Sequence, residues 1–422
     1  MPDAPLLSRT IERSPVYYGW VVLAVGTLGL MMTTPGQTVG VSVFLDPIIA
    51  DLGASRTEIS LLYTIGTLAG ALALPWVGRS IDRRGPRLAV GWIAAGLALA
   101  CIYMATVTSL PALAFGFVLL RGLGQGSLGL VSLLVINVWF VRRRALAVGL
   151  TGLGMALATA GFPPLIEALI EAFGWRTAYA LLGALVAATI LPLGLAFFRG
   201  HPERFGQRPD GRTRPGTVPV VVDEPAFTAA QARRTAAFWL LAGSVAMMSA
   251  LGTGLIFHHF DLMAARGIDR AAAATVFTPF ALVIAATNLG AGALIDRLNA
   301  RVPVVAMLVL QAACLAAATV VAGPTLPLYG VLLGVTQGTM GVVSGSLFAK
   351  VFGRAAIGGI KGTAQTLSVA GAAAGPVLLA LGIPFLGGYG PALWALVPLP
   401  LLLAIGVAVG LRKPTQPDAA AA

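Results

Sequence analysis

Arg121 is the residue whose chemistry is least at home in its surroundings. It lies eleven residues into an apolar run from 110 to 136, roughly 16 Å deep if the run is a helix. A guanidinium at that depth in hydrocarbon costs about 2.5 to 3.5 kcal/mol on insertion scales, so it must face the protein interior and a partner. No acidic residue lies at the same depth in the other apolar runs. One chemistry for such a group is capture of an anionic solute, to which its planar fork gives two hydrogen bonds. The other is purely architectural: the arginine is tied to helix carbonyls and to Gln125, one turn further on.

Amides and hydroxyls that could line the same cavity are Thr33, Thr34 and Gln37 in the first run, Gln125 in the fourth, Asn288 in the eighth, Gln337 in the tenth and Gln365 in the eleventh. A buried amide in such a chain also serves as a helix-to-helix hydrogen bond, and both roles stay open. Proton carriers must change charge near physiological pH. The candidates are Glu167, Asp46 and His258, the last beside His259 and Asp261; for each the competing role is a solvated helix end. The sequence has no nucleotide-binding glycine loop, no metal-ligand spacing and no nucleophile with a matching base, so it supports no cofactor, metal or enzymatic chemistry. Cys101 and Cys314 lie in apolar surroundings and read as small buried hydrophobes.

The elements that must position these groups follow from composition. Of 422 residues 57% are hydrophobic and 10% charged, against about 25% charged in soluble domains. Twelve apolar runs recur: 17–45, 59–77, 88–108, 110–136, 145–166, 177–198, 236–257, 272–294, 302–322, 326–349, 362–386 and 390–411. Each is long enough to cross a bilayer core about 30 Å thick. Arg121 is the one charged residue inside these limits. The first run exceeds the apolar core of a signal peptide and reads as a retained helix.

The net charge of +12 does not point to nucleic acid. With the start of the chain inside the cell, inside segments hold 23 of the 28 Lys and Arg residues and the outside loops four. That bias sets both termini in the cytoplasm and places a basic rim against anionic lipid. The expected setting is the inner (plasma) membrane of a bacterium, and the expected state a monomer.

The chain also repeats itself. QGSLGLVS from Gln125 matches QGTMGVVS from Gln337, and GRSIDRRGPR from Gly78 matches GALIDRLNAR from Gly292. The offsets, 212 and 214 residues, are nearly one value, as expected of a duplicated bundle with a solute site between its copies. The expected organisation is a cytoplasmic start at 1–16, a six-helix bundle at 17–198, a linker at 199–235 rich in Pro, Gly and Arg, a second bundle at 236–411 and a tail at 412–422. Glycines such as Gly122, Gly124, Gly371 and Gly375 suit close helix contacts.

The segment Gly78 to Arg87 fits G-x-x-x-D-R-x-G-x-R, with Gly78, Asp82, Arg83, Gly85 and Arg87 at the defining positions. It resembles the loop signature of the major facilitator superfamily, with a degenerate copy at Gly292, Asp296, Arg297 and Arg301. The resemblance implies an all-α membrane protein of twelve transmembrane helices in two pseudo-symmetric six-helix bundles. It also implies that Asp82 docks at the start of the eleventh helix, where Gly358 and Gly359 offer bare N–H groups, and holds the state closed to the cytoplasm.

WFVRRRALAVGLTGLG from Trp139, FGWRTAY from Phe173 and YYGW from Tyr17 resemble the monocarboxylate transporter family and its bacterial relatives. The charged positions of that family carry Val39, Ile284 and Asn288 here, so its substrate does not transfer with its signature. The function expected is secondary active transport of a small organic solute, an organic monoanion such as a monocarboxylate, by alternating access with proton coupling. Efflux of amphipathic or neutral compounds competes with it, as does, from a different class, a membrane-embedded enzyme or a non-transporting solute sensor.

Overall fold

The computed structural model describes residue 11 and residues 16–211, 225–269, 272–273 and 275–412. The expected polar start, the middle of the linker and nearly all of the tail lie outside the described residues. Within them the chain is helical, without a strand.

Twelve crossings, α1 to α12 in chain order, are Tyr18–Leu52, Glu58–Arg84, Pro86–Met104, Leu110–Trp139, two within Arg144–Phe197, then Ala236–Phe257, Phe277–Arg297, Arg301–Val320, Leu326–Phe352, Ile357–Leu386 and Tyr389–Gly410. The long stretch is two helices because Gly174 adopts φ 76° and ψ 159°, a conformation open to glycine and costly to other residues. Leu157, Leu328 and Leu402 are more than 60% exposed; such a surface suits hydrocarbon rather than water.

Several boundaries move from those expected: α2 runs through most of the expected loop to Arg84, with Asp82 inside it, and α10 runs to Phe352, with Lys350 inside it. Helix α1 runs on to Leu52, which places Asp46 inside it, and α5 continues past Glu167 to the turn at Gly174. Helix α11 begins at Ile357, so Lys361 is inside it and buried. Arg121 is therefore not the one charge within the crossings. Charge made Lys361 look like a loop residue, but α11 is covered here by protein rather than lipid.

Two crossings lose regular helix at the same level. In α1 the hydroxyls of Thr33 and Thr34 bond back to the carbonyls of Leu30 and Met31 at 2.6 Å each, and Pro35 supplies no N–H. A 3₁₀ turn, Thr34–Gly36, separates Tyr18–Met31 from Thr38–Leu52. In α4 the stretch Leu120–Leu128 is a π-helix, with the Ser127 hydroxyl donating to the Gly122 carbonyl at 2.7 Å. Such widened turns recur at functional sites. The two irregular stretches touch: a Cβ on Gly36 would fall 2.1 Å from the Leu120 carbonyl oxygen, so only glycine fits.

The crossings before and after the linker meet along α2 with α11 and α5 with α8. Glycines allow it: a Cβ at residue 78 would lie 1.9 Å from the Gly358 carbonyl oxygen, and one at residue 149 would lie 1.9 Å from that of Asn288. Gly371 and Gly375 of α11 pack in the same way on the backbone of Ala246 and Ala250 in α7.

Candidate functional site

Arg121 is 6% exposed and points at the break in α1. Its Nη1 donates to the Gly36 carbonyl at 2.9 Å, one of the groups that the broken helix leaves without a helical partner, and reaches Thr38 Oγ1 at 3.5 Å. Its Nε donates to Thr67 Oγ1 of α2 at 2.9 Å. The Tyr63 ring lies 4.7 Å from Cζ, a cation–π contact, and the Tyr63 hydroxyl donates to Thr38 Oγ1 at 2.9 Å. Among the described residues no carboxylate pairs with this guanidinium and Nη2 has no hydrogen-bond partner. The geometry thus joins both expected roles: two nitrogens are tied to the helices and a third is left over. Gln125 is not one of its partners.

Tyr63, Thr67 and Thr38 were not singled out from the sequence. The available signal was Tyr63 and Thr67 four apart in an apolar run, which places them on one face of α2.

Gln37 begins the second part of α1 and donates from Nε2 to Thr33 Oγ1 at 3.0 Å, beside buried Thr34. Gln125 and Gln365 are half-buried. Gln337 lies against Gly252 of α7, and its Nε2 is buried without a partner among the described residues. Asn288 is placed differently: its amide nitrogen faces Gly152 of α5 and its backbone carbonyl faces Gly149. It lines the α5–α8 seam and is not among the hydrogen-bond partners of Arg121.

Of the coupling candidates, Asp46 and Glu167 are exposed. His258 is buried, with Nδ1 3.2 Å from the Tyr389 hydroxyl and Nε2 3.0 Å from the Pro376 carbonyl. It joins the end of α7 to α11 and to the start of α12. His259 is held at 2.9 Å from the Ala273 carbonyl.

The loop signature forms a clasp. The two oxygens of Asp82 accept the N–H groups of Gly358 and Gly359 at 2.8 Å each, where α11 begins with unpaired donors. Asp296 repeats the contact in the other direction, accepting from Ala145 at 2.8 Å and Leu146 at 3.1 Å at the start of α5. Gly85 turns the chain at φ 82°, and Arg83, Arg87 and Arg297 are exposed. Further ties stand on the same face, which also carries the linker: Arg354 donates to the Val138 carbonyl at 2.7 Å and pairs with Glu203 at 2.6 Å. Asn137 donates to the Gly345 carbonyl at 2.9 Å. Deeper in, midway along α2, Thr366 donates to the Ala71 carbonyl at 2.8 Å.

The linker face is therefore shut by capped helix starts, with the Arg121 cluster on the far side of the seal. The fold has known counterparts. The human organic anion transporter MFSD10 (TETRAN) is similar in structure, with a TM-score of 0.71 at 16% identity, over 94% of this chain and all of that one. At such identity the likeness shows the fold alone. In sequence, the oxalate:formate antiporter of Oxalobacter formigenes is 27% identical over 222 residues, 53% of this chain and 50% of the relative. Human monocarboxylate transporter 6 is 29% identical over 185 residues, 42% and 35% of the two chains. The matched stretches thus span half or less of the curated relatives. The family description Major Facilitator Superfamily matches residues 20–376, which takes in the Arg121 cluster, both clasps and eleven of the twelve crossings at least in part. With the clasp, the paired helices and that match in agreement, the chain belongs to the Major Facilitator Superfamily.

Proposed function

We propose that this protein is a secondary active transporter of a small organic monoanion with an apolar body, such as a monocarboxylate. The observation that carries the reading is the buried Arg121, which has no carboxylate partner among the described residues and keeps Nη2 available beside a broken helix. A cation so placed is stabilised by an anion that arrives from outside the fold. Gln37, Gln125 and Thr34 on the same two crossings supply orienting hydrogen bonds, with Gln337 and Gln365 on the opposite half. The relatives named for oxalate, formate and monocarboxylates support an anionic solute.

The linker face is cytoplasmic in this reading, in the inner membrane of a bacterium, on the strength of its basic residues. Alternating access proceeds by rocking of the two six-helix halves, the clasps parting on one side as the other closes. Coupling is to protons, through His258, Asp46 or Glu167.

The test is a thermal-shift and uptake panel of phenylpyruvate, lactate and oxalate against neutral benzamide and cationic benzylammonium. Phenylpyruvate should stabilise the protein most, lactate less, and Arg121→Gln should abolish the effect. Stabilisation by benzamide or benzylammonium that survives Arg121→Gln would refute the anion assignment.

A further inference from the structure

Lys361 is a charge buried between the two halves, and the site around Arg121 makes no use of it. It is 6% exposed. Its Nζ donates to the Gly345 carbonyl at 2.8 Å, its one hydrogen bond among the described residues, although an ammonium carries three donors. No carboxylate pairs with it there. It stands near the positive end of α11, which disfavours a cation, and Arg144 is close enough to repel it. Burying an ammonium with so little compensation is costly. A residue of this kind calls for a partner that this conformation does not contain.

Its place in the seam indicates when that partner arrives. The Gly345 carbonyl also accepts Asn137 Nδ2 at 2.9 Å, and a Cβ at Gly345 would lie 2.4 Å from Val148 Cγ1. Asn137 and Val148 belong to α4 and α5, whereas Gly345 and Lys361 belong to α10 and α11. When the halves part on the linker face, the first pair leaves with one half and the ammonium stays with the other, its spare donors facing the opened path. The same movement withdraws Asp82 from the N–H groups of Gly358 and Gly359. Along α4, Asn137 lies sixteen residues beyond Arg121, about 24 Å, too far for one anion to touch both levels.

We infer that Lys361 is a second anion-binding group, covered in this conformation, which holds the transported monoanion on the linker side after Arg121 has released it. The inference rests on the monoanion reading of the Arg121 site.

The experiment measures phenylpyruvate transport from each face in oriented proteoliposomes, with wild type, Lys361→Met, Lys361→Arg and Arg121→Gln. Lys361→Met should raise the linker-face KM about tenfold or more, leave the far-face KM within about twofold, and be largely rescued in Lys361→Arg. A role in packing alone would change both faces together or neither, and either result overturns the inference. A readout on the native lysine guards against misfolding of the variants. Trinitrobenzenesulfonate, an impermeant amine reagent, is applied to the linker face of Asp82→Asn protein, and Lys361 modification is read by peptide mass spectrometry. Lys361 should become reactive and phenylpyruvate should protect it; an inert or unprotected lysine overturns the inference. Far-face transport that is indifferent to Arg121→Gln is a distinct result: it refutes the site reading, and this inference with it.

Discussion

Asp82 and Asp296 make one contact twice, in opposite directions across the seam. Asp82 of α2 caps the start of α11 through Gly358 and Gly359, and Asp296 of α8 caps the start of α5 through Ala145 and Leu146. Each carboxylate meets a pair of bare N–H groups at the positive end of a helix, where an anion is favoured. The clasp thus depends on the shape and charge of a carboxylate, and both halves must approach closely for it to form.

Asp82→Asn should fold and shift the population toward the state open at the linker face. The amide can accept one N–H but presents a donor to the other, so roughly 1.5 to 3 kcal/mol of charge-assisted bonding is at stake, a tenfold to hundredfold change in population. Single cysteines on each face, labelled with an impermeant maleimide, report it. Unchanged labelling at both faces would contradict the clasp.

Gly78→Ala tests the approach rather than the charge. Its methyl group would fall 1.9 Å from the Gly358 carbonyl oxygen, and backbone cannot yield as a flexible side chain does. The same labelling assay should show a shift in the same direction as Asp82→Asn, with the carboxylate intact. A Gly78→Ala protein that closes normally would mean that the helices have slack at this crossing.

Arg121→Lys should impair transport less than Arg121→Gln. Lysine keeps the charge but cannot reach the Gly36 carbonyl, Thr67 and a solute at once, having lost the planar fork. Initial uptake rates and anion-dependent melting shifts in the two variants measure this; equal loss in both would make geometry, not charge, the decisive property.

Tyr63→Phe removes the hydroxyl that donates to Thr38 Oγ1 at 2.9 Å and keeps the ring under the guanidinium. The expected result is a modest rise in KM, about two- to fivefold for one neutral hydrogen bond, with little change in turnover. Tyr63→Leu, which also removes the ring, should cost more. A silent Tyr63→Leu would show that Arg121 is positioned by Gly36 and Thr67 alone.

Proton coupling is tested by imposing a pH gradient on proteoliposomes. Uptake should follow the gradient in wild type and lose that dependence in one of His258→Gln, Asp46→Asn or Glu167→Gln. Uptake that ignores the gradient but responds to sodium or to a counter-solute would overturn the coupling.

Much of this was legible in the residues themselves because the bilayer is a demanding solvent. A chain with 10% charged residues and apolar runs near 20 residues can satisfy its backbone in lipid only as helices, and counting those runs yields the twelve crossings. The partner of Asp82 was implied by the resemblance of the segment Gly78 to Arg87 to the family signature, and the structure places its carboxylate on the N–H groups of Gly358 and Gly359. Depth along one helix located Arg121 by arithmetic alone.

What required the tertiary structure were the relations between helices, on which periodicity is silent. The break in α1 depends on Thr33 and Thr34 turning back on their own helix and on Gly36 pressing against the π-turn of α4. Only then is a carbonyl freed for Arg121. Asn288 shares the polarity of a cavity residue, but the small faces of Gly149 and Gly152 draw it into the seam. Lys361 looked like the last residue of a loop because a charge is costly in lipid. Its ammonium bonds to Gly345, which in turn meets Asn137 and Val148, so that three other helices converge at one carbonyl, and only that assembly decides that a lysine near the membrane edge is buried inside the protein.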